Sequence, residues 1–167
     1  RTGISASIDV RGKSLDVYGF HFKAMGDASS EAARRAQALA ISKGLNAKYG
    51  ANLPEVAIVV AGDFNTTNAD EFSGKNATLS ILSLKNDANP NNDFVDVNYR
   101  YLLGEATFVD GKYRSVLDHV LVAPALARTV GRDDVKIFPS PQIETPNARG
   151  KLPLSDHNMV AVDVDLP

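Results

Sequence analysis

The sequence predicts an α/β (α+β) chain: a mixed, mostly antiparallel sheet with flanking helices. Three observations predict it. Short apolar runs rich in β-branched residues recur, Val56-Ala57-Ile58-Val59-Val60-Ala61 being the clearest, and such side chains pack well on a pleated surface. One longer stretch has helical spacing instead: Ala38, Ile41, Leu45 and Tyr49 fall on one face that could dock on a sheet. Strand, helix and strand then follow one another, the order of an α/β unit.

Taken in order, residues 4–10 and 15–22 are two expected strands joined by a turn at Gly12-Lys13. Residues 25–28 form a loop. A helix is expected over 31–49, with Ser29 or Ser30 as N-cap and Gly50 as terminator. The apolar run at 56–61 is a strand. Residues 66–76 read as loop or short helix, 77–84 as helical, and 86–93, rich in Asn and Asp, as a polar surface loop. Residues 106–109 and 113–122 read as a hairpin with a type I′ turn at Asp110-Gly111. Residues 135–138 and 159–166 supply more strands. Residues 139–153, interrupted by prolines, form an irregular loop between them.

The 167 residues, 44% of them hydrophobic, suit one domain with its own core. No apolar run approaches the roughly 18 residues needed to span a bilayer, so no membrane span is expected. Eighteen basic residues against 20 acidic ones leave a net charge of −2, without the basic footprint of non-specific nucleic-acid binding. A metal-dependent enzyme can still take such a substrate, because its cation meets the phosphate. The absence of cysteine excludes disulfides, thiolate catalysis and zinc–thiolate sites. The chain opens on Arg1 rather than Met and is expected to be part of something longer.

Two short motifs carry the chemistry. The run at 56–61 leads straight into Gly62-Asp63-Phe64-Asn65, and Ser155-Asp156-His157 opens onto Asn158-Met159-Val160-Ala161-Val162. Apolar runs ending in Asp, Asn and His present a polar cluster at the rim of a sheet. Oxygen ligands hold a hard divalent cation, and an imidazole moves a proton. Asp118 interrupts the apolar stretch 116–122 and is costly to bury unpaired, so a partner is expected. His119 points to the opposite face of that strand and reads as structural. Lys23, Arg34, Lys112 and Arg114 are candidate phosphate contacts, each weak by itself. Asn65-Thr66-Thr67 and Asn76-Ala77-Thr78 match the N-glycosylation pattern but read as chance matches, since a glycan on Asn65 would block the rim.

These motifs stand in order with His21, in Phe20-His21-Phe22-Lys23-Ala24, and with Ser115-Val116-Leu117-Asp118-His119-Val120-Leu121-Val122. On them, over nearly its whole length, the chain resembles the C-terminal half of the endonuclease/exonuclease/phosphatase superfamily, the deoxyribonuclease-I-like fold. The combination of His21-Phe22-Lys23-Ala24 with the Arg34-Arg35-Ala36-Gln37 helix is most similar to the bacterial secreted-nuclease-like branch. The resemblance implies half of a four-layer α/β/β/α sandwich, residues 1–167 forming a single unit. The family's N-terminal half carries an Asn and a metal-binding Glu, for which the stretch before His21 leaves no place.

The implied activity is divalent-metal-dependent phosphodiester hydrolysis, most plausibly by a nuclease. Asp156 would be a ligand of Mg²⁺ (or Mn²⁺ or Ca²⁺), and His157 the general base. Asp118 would fix the tautomer of His157, while Asp63 and Asn65 hold the attacking water and the scissile phosphate. His21 would bond the phosphate or assist the leaving oxygen; Phe20 departs from the Asn or Thr that relatives often carry before this His. The expected partners are a nucleic-acid substrate, and either the missing N-terminal half or a second copy covering an exposed sheet face. The same catalytic core also serves phosphatases and phosphodiesterases acting on phosphoinositides, sphingomyelin or small phosphoesters, and a third alternative is a non-catalytic half that pairs with a partner. Location is unreadable from the residues themselves; the resemblance points to a secreted or periplasmic bacterial protein.

Overall fold

The first two apolar stretches pair antiparallel as β1 (Ile4–Val10) and β2 (Lys13–His21) in the computed structural model, which describes residues 3–67, 69–103, 105–139 and 155–167. Their turn is Arg11-Gly12, one residue earlier than expected. Both residues have positive φ, 56° and 81°, as a type I′ hairpin requires. Helix α1 (Ala28–Tyr49) also starts earlier than expected. Its N-cap is Asp27, whose carboxylate accepts the backbone N–H groups of Ser29 and Ser30. Gly50 ends the helix, and the expected face is the buried one: Ala38 and Leu45 lie in the core with Ile41 and Tyr49 packed beside them.

Strand β3 (Ile58–Asp63) runs parallel to β2. The chain then makes a 3-10 turn at residues 69–71, the short helix α2 (Thr78–Leu82), strand β4 (Val95–Asp96) and helix α3 (Val97–Tyr101). A hairpin follows, β5 (Phe108–Asp110) with β6 (Tyr113–Ser115), and then β7 (Asp118–Val122). Helix α4 (Pro124–Ala127) and the ribbon β8 (Val135–Phe138) with β9 (Met159–Val162) complete the described chain. The main sheet has the order β1-β2-β3-β7-β4. All its pairings are antiparallel except β2 with β3, so it is mixed and mostly antiparallel.

Residues 113–122 are not one strand. The Thr107 hydroxyl accepts both the Leu117 and Asp118 N–H groups, and the Leu117 carbonyl accepts the Phe64 N–H. Those bonds turn the backbone away from the hairpin and into the main sheet. The hairpin turn also differs from expectation. Asp110 pairs with Tyr113, leaving Gly111-Lys112 as the loop, and only Gly111 has positive φ, the type II′ pattern. Beyond Pro139, the irregular loop expected over 139–153 lies outside the described residues.

Ile58, Val60 and Leu121 face α1 and α2, where they pack with Phe22, Phe64, Leu79 and Leu82. On the other face Leu15, Val59 and Val120 pack against a second cluster containing Val97, Leu126, Val135 and Val162. The ribbon β8–β9 thereby begins another layer, as in a partial α/β sandwich. The edge strand β1 is exposed at every position, Ile4 at 77%.

Gly62 is held at φ 147°, and a Cβ there would sit 1.9 Å from the Phe20 carbonyl oxygen. Gly62→Ala is therefore expected to cost about 2–6 kcal/mol, backbone strain and overpacking together. A denaturant midpoint that does not move would contradict this close approach.

Candidate active site

The strand register lines up three polar residues at one end of the sheet. His21 is paired with Asp63 across β2 and β3, and Asp63 with Asp118 across β3 and β7. Side chains of paired residues share a face, so the three stand in a row. His21 Nε2 lies 3.3 Å from Asp63 Oδ2. Among the described residues the acidic neighbour of His21 is Asp63.

His157 completes the cluster from a distant part of the sequence. Its Nδ1 is 2.7 Å from Asp118 Oδ2, and its Nε2 is 4.0 Å from Asp63 Oδ2 and 3.9 Å from Asp156 Oδ1. The hairpin base delivers it there. The Val109 N–H donates to the Asp156 carbonyl, the Asn158 N–H to the Thr107 carbonyl, and the Asn158 side-chain amide to the Ala106 carbonyl. The Phe108 ring meets the imidazole edge-on at 5.2 Å. The buried side chain of Asn98 steadies the other partner: it donates to the Asp118 carbonyl and accepts the Val120 N–H. Thr107, Phe108 and Asn98 escaped sequence reading, because their roles depend on pairings between remote segments.

Asn65 follows β3 at φ 50° and is 7% exposed. Its N–H bonds to Asp63 Oδ1, and its side-chain amide turns toward the Phe22 carbonyl at 3.4 Å. Asp156 instead presents an open carboxylate, 62% exposed. His119 lies on the opposite face, as expected. It is buried between Asp96 at 2.6 Å and the Thr66 hydroxyl at 2.9 Å, with its ring stacked on Phe64. Arg34 is a correction: it is fully buried against Glu71 and cannot reach a phosphate, whereas Lys23, Lys112 and Arg114 are exposed. A cleft of about 540 Å³ is walled by Thr66, Phe72, Tyr99, Ser115 and Val116. The Phe72 and Tyr99 rings lie 5.2 Å apart.

Burial alone would lower the pKa of His157. The Asp118 hydrogen bond and the charges of Asp118, Asp63 and Asp156 outweigh it, holding the imidazole above 6.5. Burial raises the Asp63 carboxyl, helped by the Asp118 charge and opposed by the Asn65 N–H and both histidines. A raised folded-state pKa means that His157 contributes stability fully below about pH 6.5 and loses it as pH rises through the folded value. Asp118→Asn is expected to lower the His157 titration midpoint, followed by its imidazole NMR resonances. An unchanged midpoint would show that Asp118 does not govern this ring.

No family model matches the sequence, and no curated protein matches it. Solved structures do match. D. rerio TDP2 complexed with single strand DNA product aligns over 98% of this chain and 61% of its own, at 15% identity and TM-score 0.62. An endonuclease/exonuclease/phosphatase family protein from Bacteroides thetaiotaomicron aligns over 92% of this chain and 51% of its own, at 17% identity and TM-score 0.60.

The chain has the fold of the endonuclease/exonuclease/phosphatase superfamily.

Within that fold a Bacteroides thetaiotaomicron mannosyl-6-phosphatase is also similar, over 93% of this chain and 53% of its own, at 18% identity and TM-score 0.58. This chain thus spans little more than half the length of these superfamily structures. Among the described residues no group of three or more His, Asp or Glu side chains is placed to hold a metal ion. Mg²⁺ is commonly held by one or two carboxylates, with water and substrate phosphate completing the octahedron. The open carboxylate of Asp156 fits one such position. Also among the described residues, no helix is long and apolar enough to cross a membrane.

Proposed function

We propose that this chain is the C-terminal half of a divalent-metal-dependent phosphodiester hydrolase, and within that class a nuclease. The observation that carries the reading is the meeting of His21, Asp63, Asp118 and His157 at one sheet rim. Asp118 holds His157 with Nε2 turned to the rim, the orientation a general base needs. The 4.0 Å between that nitrogen and Asp63 Oδ2 exceeds a hydrogen bond and accommodates one water oxygen touching both. His157 takes a proton from this water as it attacks phosphorus, and the nearby carboxylates stabilise the imidazolium. His21, 56% exposed, contacts the phosphoryl or leaving oxygen, and Asn65 braces the turn on which Asp63 stands. A bound Mg²⁺, Mn²⁺ or Ca²⁺ would neutralise phosphoryl charge, with Asp156 among its ligands.

The remaining donors are assigned to a complementary N-terminal half, which would also cover the exposed edge of the sheet. The Phe72–Tyr99 wall favours a nucleic acid, because any base can stack on aromatic side chains. The net charge of −2 and the likeness to the mannosyl-6-phosphatase favour a second reading, a phosphatase or phosphodiesterase acting on sugar, phosphoinositide or sphingomyelin headgroups. A secreted or periplasmic location follows from the secreted-nuclease resemblance alone.

With Mg²⁺ and the complementary half, the protein is expected to nick supercoiled plasmid, and the chain alone to be inactive or very weak. Release of headgroup or sugar phosphate with the plasmid intact would move the substrate to the second reading. Robust hydrolysis by the 167-residue chain by itself would refute the half-site.

A further inference from the structure

Two loops leave the sheet at the candidate site, residues 22–27 after β2 and residues 64–77 after β3. A fully buried ion pair joins them. Arg34 Nε lies 2.6 Å from Glu71 Oε1 and Nη2 2.7 Å from Oε2, a bidentate contact with both side chains shielded from water. Nη1 donates to the carbonyls of Lys23 and Met25 in the first loop. Glu71 accepts the Thr67 N–H in the second and the Thr78 hydroxyl at the start of α2. On the same helix as Arg34, Gln37 accepts the Lys23 N–H. Each loop also contains a non-glycine residue at positive φ, Met25 at 86° and Asn65 at 50°, a conformation that needs surrounding support.

Stability alone is a poor reason for such a pair, because the cost of desolvating two charges rivals their attraction. Its distinctive contribution is geometric: a planar guanidinium fork accepts a carboxylate in few arrangements. We propose that Arg34 and Glu71 are positioning residues: their buried pair locks the loop that follows His21 to the loop that follows Asp63 and contains Asn65, so that His21 and Asp63 stay aligned on one phosphoryl group. This rests on the hydrolase reading above.

Two variants test it, Arg34→Met/Glu71→Leu, which removes both charges at similar volume, and Glu71→Gln, which keeps the shape. One arm uses no ligand. Amide hydrogen exchange is read at Lys23 and Asn65, whose acceptors, Gln37 and Asp63, are untouched by either substitution. Protection is expected to fall by about tenfold in the double variant, whose melting temperature stays closer to the parent's than that of Glu71→Gln, which leaves the Arg34 charge buried without a carboxylate. The other arm titrates inorganic phosphate against the histidine imidazole resonances; the affinity read at His21 is expected to weaken by about tenfold. If one variant does not fold, the other decides by the same readouts. Parental protection and parental phosphate response in a folded variant would overturn the proposal. If His21 and His157 ignore phosphate even in the assembly with the complementary half, the hydrolase reading fails, and the exchange arm alone decides whether the pair orders the loops.

Discussion

Replacing His157 by alanine is expected to lower phosphodiester hydrolysis by about 10²–10⁴-fold in any preparation that turns over, the range a positioned general base contributes. The expectation follows from how the ring is held. Nδ1 is committed to Asp118, so Nε2 is the nitrogen facing Asp63 and the rim. His157 is also partly exposed, and its removal opens no large core cavity. The loss should therefore appear in kcat, with a change in thermal stability limited to the Asp118 contact and greatest at acid pH, where the protonated ring contributes most. His21→Ala and His119→Ala make informative contrasts. The first should slow turnover less. The second should mainly destabilise, because His119 is buried between Asp96 and Thr66. Turnover by His157→Ala within a fewfold of the parent would remove this residue from the chemistry.

Arg34→Ala is expected to destabilise the protein by about 3–5 kcal/mol, a large share of an ordinary folding free energy. The Glu71 carboxylate would remain in a water-free site without its bidentate partner. The Lys23 and Met25 carbonyls would lose their shared donor at the same time. An exposed pair of the same types would cost far less: Arg128–Glu55 lies at 3.3 Å with both side chains well exposed, and Arg128→Ala should change stability by under about 1 kcal/mol. Chemical denaturation of the two variants checks the contrast. Equal midpoints would mean that burial does not control the strength of the Arg34 contact.

The rim was legible because its signals are local. Asp63 and His157 each flank an apolar stretch and Asp118 interrupts one, which marked them as strand-end polar residues or as in need of a partner, while the pairing of Asp118 with His157 was what the family resemblance implied. Strand alternation set His119 on the other face. Capping was harder to read. Asp27, Ser29 and Ser30 can all cap a helix, and only the path of the entering backbone selected Asp27. The two hairpin turns were misplaced because pairing register, which depends on both strands, decides which residues form the loop. Arg34 looked like a surface cation since its acidic partner, Glu71, comes from a loop beyond β3. The acidic neighbour of His21 was hidden for a related reason, being set by the parallel register of β2 and β3.

The central claim is that these side chains address one phosphoryl group. Its most direct test is the nicking of supercoiled plasmid in Mg²⁺ by the chain joined to its N-terminal complement, measured beside the same assembly carrying His157→Ala. Turnover by the first, with a loss of at least about a hundredfold in the second, is the predicted result. Equal rates in both would contradict it.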